Sequence, residues 1–170
     1  MEQEDRGVSA IKDRYLTFEI DSELYGVEIL NVKEIIGFQK TVHVPRLPEF
    51  VKGVMNLRGS IIPVIDLRAK LGMDDVEVTT ETAIIIVIIG ALHIGFVVDR
   101  VKDVAAIRGE ELKESPNFGS KIDTNFIKKM ANLKEGVVMI LDIEAIFGDG
   151  EMSALESIVE EKKQQQERVA

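Results

Sequence analysis

Residues 56–67, NLRGSIIPVIDL, are repeated without a gap at residues 132–143, NLKEGVVMILDI. Each copy has a polar turn that contains a glycine, then an apolar run, then an aspartate. An apolar run that follows a glycine turn is typical of the second strand of a β-hairpin. The two copies therefore predict two hairpins that occupy matching places in the fold.

An earlier pair of segments repeats as well. Gly26 with residues 32–35 (VKEI) is echoed by Gly95 with residues 101–104 (VKDV) at an offset of 69 residues, whereas the hairpin copies are 76 residues apart. The later copy therefore carries a longer loop, and residues 115–120 (SPNFGS) are rich in turn-forming residues that suit it. Repeats of β-rich units predict two similar small subdomains, and a groove between them is suited to holding a partner.

The composition limits the classes of function. The chain has 170 residues, 45% of them hydrophobic, which suits one domain or two small subdomains around a shared core. Its net charge of −9 argues against binding to nucleic acid or to an anionic membrane surface. Cysteine is absent from the sequence, which excludes disulfides and thiolate metal sites.

Residues 83–98 form an almost continuous apolar run. A membrane-spanning helix needs ~20 such residues, and this run is shorter and is interrupted by Gly90, His93 and Gly95. Its residues are mostly β-branched, which favours strands. The sequence therefore predicts two buried strands joined by a tight turn at Gly90-Ala91, with no direct insertion into a membrane.

Short strands with turn signals between them account for most of the remaining chain. Strands are predicted at 14–20, 24–27, 32–36 and 41–44, with a one-turn or irregular segment before the third. A further hairpin is predicted from 50–57 and 60–65, with Arg58-Gly59 at its tip. Pro63 indicates an edge strand or a bulge, because proline cannot donate to a ladder. The pattern predicts an all-β class, most simply two small barrels.

The repeat also predicts two equivalent short helices. In each copy an aspartate N-cap precedes the helix and a glycine ends it. The segments are Asp66, 67–71 and Gly72 in the first copy, and Asp142, 143–147 and Gly148 in the second.

A longer helix is predicted at the C-terminus. Ser153 and Glu156 have the spacing of a capping box, and an apolar stripe follows at Leu155, Ile158 and Val159. Beyond Glu160 the helix is polar and is expected to fray into solvent.

The predicted organisation has three parts: a flexible tail at 1–13, a body at 14–150 and the helix at 151–170. The body is expected to divide into two barrel subdomains, at about 14–82 and 83–150, with an exchange of strands between them left open. Closing strands into barrels removes the exposed edges that long apolar strands would otherwise present.

No arrangement of residues indicates catalysis. Nucleophilic catalysis needs a nucleophile, a base and an orienting group, and the two histidines, His43 and His93, do not have the spacing of metal ligands. His93 lies in an apolar strand, which favours a hydrogen-bonded residue of a core or barrel rim. We therefore predict no catalytic residue, no metal and no cofactor. A barrel-fold enzyme would require an enclosed pocket that holds His93 beside a carboxylate.

Two charged residues of the repeat are candidates for binding. Arg58 is suited to pairing with a carboxylate, and Glu34 in the other repeated segment is a candidate partner; the alternative is that Arg58 only keeps the turn soluble. The neighbouring apolar residues are too many for one face of a short strand. Either they line a groove or interface, or an irregular backbone buries them all: Ile29, Leu30, Val32, Ile35 and Ile36.

Several segments closely resemble the chemotaxis coupling protein family, CheW. The resemblance covers about residues 14–148, and the segments that carry it are 15–19 (YLTFE), 25–36 (YGVEILNVKEII), 50–59 (FVKGVMNLRG), 62–68 (IPVIDLR), 97–101 (VVDRV), Phe118-Gly119 and 140–143 (ILDI). The motif at 56–67 is specific to this family and its relatives, which are the regulatory domain of the histidine kinase CheA and the adaptor half of CheV. The chain holds neither a kinase core nor a receiver domain, so the resemblance favours the stand-alone coupling protein.

The resemblance implies two SH3-like five-stranded β-barrels around a shared hydrophobic core, and an adaptor function without catalysis. Such an adaptor is cytoplasmic, lies at the inner face of the membrane in receptor arrays, and couples the cytoplasmic tip of methyl-accepting chemoreceptors to the regulatory domain of CheA. A related adaptor of a CheV-like or non-chemotactic receptor–kinase pathway is the open alternative.

By position, the resemblance also assigns two sets of contact residues. The receptor-contact set is Ile29, Val32, Glu34, Arg58 and Val98. The kinase-contact set is His43, Val44, Pro45, Lys52 and Gly53. The second copy has Lys134-Glu135 where the first has Arg58-Gly59, so the charged pair is expected to belong to the first barrel alone.

Overall fold

In the computed structural model, which describes residues 13–114 and 126–169 with side chains as far as Gln166, the chain forms eleven strands and two α-helices. The strands are β1 Arg14–Ile20, β2 Glu23–Glu28, β3 Val32–Gly37, β4 Val51–Leu57, β5 Ser60–Asp66, β6 Ala83–Ile89, β7 Leu92–Val98, β8 Arg100–Ala106, β9 Leu112–Lys113, β10 Ile127–Leu133 and β11 Gly136–Leu141. The α-helices are α1 Leu67–Lys70 and α2 Asp149–Val169, and 3-10 turns occur at Ile29–Asn31 and Gly109–Glu111. The predicted all-β class is confirmed.

The two sheets do not follow the two halves of the sequence. Sheet A has the order β8–β1–β2–β11–β10–β9, and sheet B has the order β3–β6–β7–β5–β4. Hairpin β1–β2 therefore lies among strands of the second half, and hairpin β6–β7 lies among strands of the first. The expected boundary at residues 82–83 falls within sheet B. The chain passes between the sheets at the turn Ile29–Asn31 and again at Asp99.

Each exchanged hairpin is joined to its sheet by a parallel ladder. In sheet A, Gly26 of β2 lies opposite Ile140 of β11, and in sheet B, Gly95 of β7 lies opposite Val64 of β5. The glycines are repeat equivalents at one offset and their partners at the other, so both offsets meet in the same pairing. A Cβ atom would lie 2.9 Å from Ile140 Cδ1 at Gly26 and 2.8 Å from Ile84 Cγ2 at Gly95. Both ladders therefore favour glycine.

Each sheet encloses its own small core, and the two sheets share a larger one. The core of sheet B is built from Met55, Ile62, Val64, Ile84, Ile86 and Val97. The core of sheet A is built from Tyr15, Leu24, Ile107, Ala131, Val138 and Ile140. Most members correspond across the repeat, as Ile62 does with Val138. The shared core lies between the sheets and includes Phe18, Phe96 and Phe147, as the prediction of two barrels around a common centre requires.

Pro63 lies inside sheet B, because β5 is flanked by β4 and β7; the prediction of an edge strand is wrong. Pro63 lies opposite Val54, and Val54 directs its N–H and carbonyl outward to Val42, at 2.9 and 2.8 Å. The Val54–Pro63 pair is therefore a non-hydrogen-bonded position of the β4–β5 ladder, where the missing N–H costs no bond. The parallel ladder to β7 begins at the next residue, Val64.

The first predicted short helix forms and the second does not. Helix α1 begins after Asp66 as predicted, and Asp142 accepts an equivalent backbone hydrogen bond in the second copy. Residues 143–147 nevertheless form turns. Three apolar side chains of this segment are buried in the shared core, so tertiary packing overrides the local signal: Ile143, Ile146 and Phe147.

Helix α2 begins earlier than predicted, at Asp149. Ser153 therefore lies inside the helix, and the predicted capping box is wrong. Gly148 starts this helix instead of ending an earlier one, because its N–H donates to Glu151 Oε1 at 2.9 Å. The helix continues to Val169, past the polar residues at which fraying was expected.

One lysine fastens the start of α2 to α1. Lys70 Nζ donates to both carboxylate oxygens of Glu151 at 2.8 Å, and it lies 4.3 Å from the centre of the Phe50 ring. Burial works to raise the pKa of Glu151, but the hydrogen bonds from Gly148 and Lys70 and the charge of Lys70 together outweigh it and hold the pKa below its ordinary value.

The apolar run at 83–98 forms the two predicted strands, with Gly90 at a φ of 60° in their turn. No helix in the described part of the chain is long and apolar enough to cross a membrane. Of the predicted tail at 1–13, the structure describes Asp13, whose carbonyl accepts the N–H of Ile107 at 2.8 Å. The predicted loop at 115–120 lies outside the described residues.

Gly95→Ala is expected to destabilise the protein by about 2 kcal/mol, because the new methyl group meets the Cγ2 of a rigid, fully buried isoleucine, Ile84. Gly26→Ala is expected to cost less, because it meets Ile140 Cδ1, the end of a side chain that can rotate. Gly37→Ala is the control, since nothing lies near its Cβ position. Urea unfolding measures all three, and equal losses at Gly95 and Gly37 would contradict this account.

The Lys70–Glu151 contact predicts a dependence of stability on pH. Because the pKa of Glu151 in the folded state lies below its ordinary value of 4.5, its contribution is complete above that pH and is lost as the pH falls through the lowered pKa. Glu151→Gln is therefore expected to reduce the free energy of unfolding at neutral pH, with the difference from wild type shrinking in acid. Urea unfolding at several pH values measures it; a difference that stays constant, or one matched by exposed Glu156→Gln on the same helix, contradicts the prediction.

Candidate partner-binding site

Arg58 occupies the tip of the β4–β5 hairpin. Arg58 and Gly59 both have positive φ, at 51° and 90°, as the two-residue turns that match the twist of a hairpin require. Asn56 Oδ1 accepts the N–H of Gly59 at 2.8 Å and holds the turn. The Arg58 side chain projects from this fixed turn and is 65% exposed.

Arg58 forms an ion pair with Glu34. The guanidinium Nη2 donates to Glu34 Oε1 at close range. Strand β3, which carries Glu34, and strand β4, which precedes Arg58, are the opposite edges of sheet B. The ion pair therefore joins the two edges of the sheet and helps to close it into a barrel. The predicted pairing is confirmed, and the role of the pair in binding stays a prediction.

Apolar side chains flank this ion pair on β3 and on the turn before it. Ile29 and Val32 are half-buried against the shared core, whereas Leu30 and Ile35 are 61% and 43% exposed. The irregular backbone thus buries some of the predicted apolar set and leaves the rest at the surface. Exposed apolar side chains beside a charged pair are suited to a protein partner.

Val98 is fully buried, so it does not line a surface groove as the sequence led us to expect. Its side chain belongs to the shared core against which Ile29 and Val32 pack. Ile29 and Val98 are repeat equivalents, and the structure places the first at the surface and the second inside. Val98 therefore supports the receptor-contact residues from within the core.

The two stretches of the kinase-contact set lie side by side along the outer edge of β4. The predicted strand at 41–44 is reduced to an isolated antiparallel bridge between Val42 and Val54. That bridge brings residues 43–45 next to residues 52–53. The edge of sheet B is thus covered over a short length only, and an exposed strand edge is a surface on which a second chain can dock.

Part of this set presents side chains to solvent. His43 and Pro45 are exposed, and half-buried Lys52 forms an ion pair with Asp75 at 3.8 Å. Val44 is buried in the shared core. The set therefore divides into residues that can touch a partner and residues that shape the backbone beneath them.

The histidines do not form a catalytic centre. Lys33 Nζ, which can only donate, lies 3.2 Å from Nδ1 of His93, so this ring nitrogen accepts a hydrogen bond. The cavity beside His93, about 230 Å³, is lined by Lys163 and by no carboxylate among the described residues. The described residues also hold no group of three or more His, Asp or Glu side chains that could bind a metal.

One buried ionic residue escaped sequence reasoning. Arg68 is 8% exposed in its side chain and contacts Asp99 at 2.6 Å. A signal for it was present, because its repeat equivalent is Glu144, with the opposite charge. A residue that differs in charge between two otherwise matching copies marks a place where the barrels are not interchangeable.

The CheW-like domain family matches residues 14–151, a range that contains both sheets. The chain belongs to the CheW-like family. The chemotaxis protein CheW of Klebsiella aerogenes is 33% identical to it over 148 residues, which cover 87% of this chain and 89% of that protein. CheW of Bacillus subtilis is 32% identical over 135 residues, which cover 79% and 86%.

A solved structure of the CheW family agrees with this fold. The scaffolding protein TtCheW from Thermoanaerobacter tengcongensis matches with a TM-score of 0.75 and 31% identity, over 82% of this chain and 95% of that one. The family resemblance and the two SH3-like subdomains are confirmed. CheW-like proteins are scaffolds and adaptors of chemotaxis, not enzymes, so the prediction of a non-enzymatic adaptor is confirmed as well.

Gly53 provides a test of the backbone beneath the kinase-contact residues. Its φ is 149°, and a Cβ atom would lie 2.3 Å from the carbonyl oxygen of Val42. Gly53→Ala is therefore expected to destabilise the protein by about 3 kcal/mol and to break the bridge to Val54. The control is Gly59→Ala, at a φ of 90° with nothing near its Cβ position, which is expected to cost about 1 kcal/mol. Urea unfolding decides; equal losses would mean that the contact with Val42 is unimportant.

Proposed function

We propose that this protein couples chemoreceptors to the histidine kinase CheA in signalling arrays. The observation that carries the proposal is the match of the CheW-like family to residues 14–151, which span both barrels and both sets of contact residues. The proposal places the protein in the cytoplasm, at the inner face of the membrane, where it is held by the receptors it binds.

The receptor-contact surface is the exposed side of β3 and the turn before it. An amphipathic helical tip would set its apolar side chains against Ile29 and Val32, with Val98 behind them, and its polar edge against Glu34 and Arg58. The apolar residues are only half-buried in the free protein, so they retain area that a partner can cover. Contacts of this size give specificity at modest affinity, and an array raises the effective affinity through many simultaneous contacts.

The kinase-contact surface is the outer edge of β4. His43, Pro45 and Lys52 present side chains to the regulatory domain of CheA, while Val44 and Gly53 fix the backbone on which they stand. Both surfaces belong to different edges of sheet B, since β3 and β4 lie at its two ends. One adaptor molecule can therefore hold both partners at the same time.

A CheV-like adaptor is the alternative, because the chemotaxis protein CheV3 of Helicobacter pylori is 28% identical over 131 residues that cover 42% of that protein. Purified full-length protein should be tested for capture by a CheA regulatory domain and by a receptor signalling fragment. Capture by both supports the coupling role. Capture by neither contradicts it.

Arg58→Ala is expected to weaken binding of the receptor fragment about tenfold, because it removes an arginine from the centre of the receptor-contact surface. The fold should persist, since an ion pair this exposed contributes less than about 1 kcal/mol. Titration of labelled receptor fragment measures the affinity, and urea unfolding checks the fold. Lys134→Ala, at the equivalent hairpin tip of sheet A, is the matched control and should bind normally. Equal affinities for the two variants would remove Arg58 from its assigned role.

Lys52→Glu is expected to produce the complementary defect. Reversing the charge on the β4 edge should weaken binding of the CheA regulatory domain about tenfold while the receptor affinity stays unchanged. Arg58→Ala serves here as the control that retains kinase binding. If Lys52→Glu binds the kinase domain as wild type does, this edge of β4 is not the kinase surface.

A further inference from the structure

Arg68 is a nearly buried cation that neither partner surface uses. Its Nη1 donates to Asp99 Oδ2 at 2.6 Å, and its Nε donates to the carbonyl oxygen of Asp74 at 2.8 Å. Its Nη2 also lies 3.6 Å from Asp21 Oδ1. A guanidinium held from three directions in this way has little freedom to move.

This network joins the two sheets. Arg68 lies on α1, directly after β5 of sheet B, whereas Asp21 lies in the β1–β2 turn of sheet A. Asp99 stands at the crossover from β7 to β8, and its Oδ2 also accepts the N–H of Asp21 at 2.9 Å. The N–H of Asp99 donates to the carbonyl of Glu19 in β1 at 3.1 Å. Bonds that radiate from Arg68 and Asp99 therefore hold sheet A to sheet B at this crossover.

The other crossover cannot carry the same network. The repeat equivalents of Asp99, Asp21 and Arg68 are Leu30, Gly90 and Glu144. Leucine and glycine have no polar side chain, and glutamate has the wrong charge. The ionic connection that the repeat would otherwise supply twice is thus built at one crossover only.

The two partner surfaces depend differently on how the sheets are oriented. The kinase-contact residues lie on β4 and the segment bridged to it, within sheet B alone. The receptor-contact set includes Ile29, in the first crossover, and that turn contacts β1 of sheet A as well as β6 of sheet B. A change in the angle between the sheets would therefore alter the receptor surface and leave the kinase surface intact.

We propose that Arg68 is a positioning residue for receptor binding, which acts through Asp99 to fix the orientation of the two barrels. The inference rests on the proposed coupling function. It assigns to one buried ion pair the task of keeping a junction surface in its binding geometry, at a distance from the surface itself.

The test compares Arg68→Met and Asp99→Asn with wild type. Both variants should lose about tenfold in affinity for a receptor signalling fragment and stay within about twofold for the CheA regulatory domain. Arg100→Met is the control, because Arg100 stands beside Asp99 but forms an exposed ion pair with Glu81 at 3.6 Å. It should bind both partners normally. Asp99→Asn keeps the size of the side chain, so it decides the matter if Arg68→Met fails to fold.

A second measurement reports the barrel orientation without any partner. The sequence has no cysteine, so Ala91→Cys and Glu135→Cys place spin labels only on the two hairpin turns, one in each sheet. Electron spin resonance should give a narrow distance distribution in the otherwise unaltered chain and in Arg100→Met, and a broader or shifted one in Arg68→Met and Asp99→Asn.

The outcomes separate the two proposals. If the folded variants keep both the distance distribution and the receptor affinity, Arg68 is not a positioning residue. If receptor and kinase affinities fall together, its role is general stability and the inference is overturned. If wild type binds neither partner, the coupling function fails, and an unchanged distance distribution in the variants would overturn the orienting role of Arg68 separately.

Discussion

The structure depends on two parallel strand pairings that cross the halves of the chain. Gly26 meets Ile140 in one and Gly95 meets Val64 in the other, and each pairing leaves no room for a Cβ atom. Because each hairpin completes the sheet of the opposite half, neither barrel is closed by its own half of the sequence. The shared core between the sheets follows from this arrangement, since the exchanged strands carry residues of both faces into it.

Local patterns predicted the hairpins well and the exchange poorly, for a physical reason. A two-residue turn such as Arg58-Gly59 or Gly90-Ala91 is encoded by the residues at the turn, so the strands on either side can be found from sequence. A parallel pairing between strands far apart in sequence has no such local signal. The repeat left the exchange open, and only the register of β2 against β11 and of β7 against β5 decides it.

The candidate site shows the same limit. Glu34 and Arg58 were recognised because their charges and positions in the repeat suggested a pair. Val98 was misplaced because a valine that lines a groove and a valine in a core look alike in sequence. The second short helix failed because buried Ile143, Ile146 and Phe147 outweigh a cap that Asp142 still forms. Local signals therefore predicted contacts between neighbours, and tertiary packing decided burial.

The asymmetry of the repeat carries the differences that function needs. The two small cores match residue by residue, whereas the charged residues at the hairpin tips and at the crossovers do not. Arg58 faces Lys134 across the repeat, and Arg68 faces Glu144. Conserving the cores keeps two barrels, and changing the charges allows each barrel a different task.

The exchanged hairpins also set the order in which the chain can assemble as it leaves the ribosome. Sheet B uses residues between 32 and 98, so it can form while the rest is still being made. Hairpin β1–β2 is synthesised first, but the strands beside it end at Leu141, so it must wait unpaired through most of synthesis. During that interval its apolar face, with Leu16 and Phe18, is exposed to other nascent chains, and its turn chemistry alone has to keep it soluble.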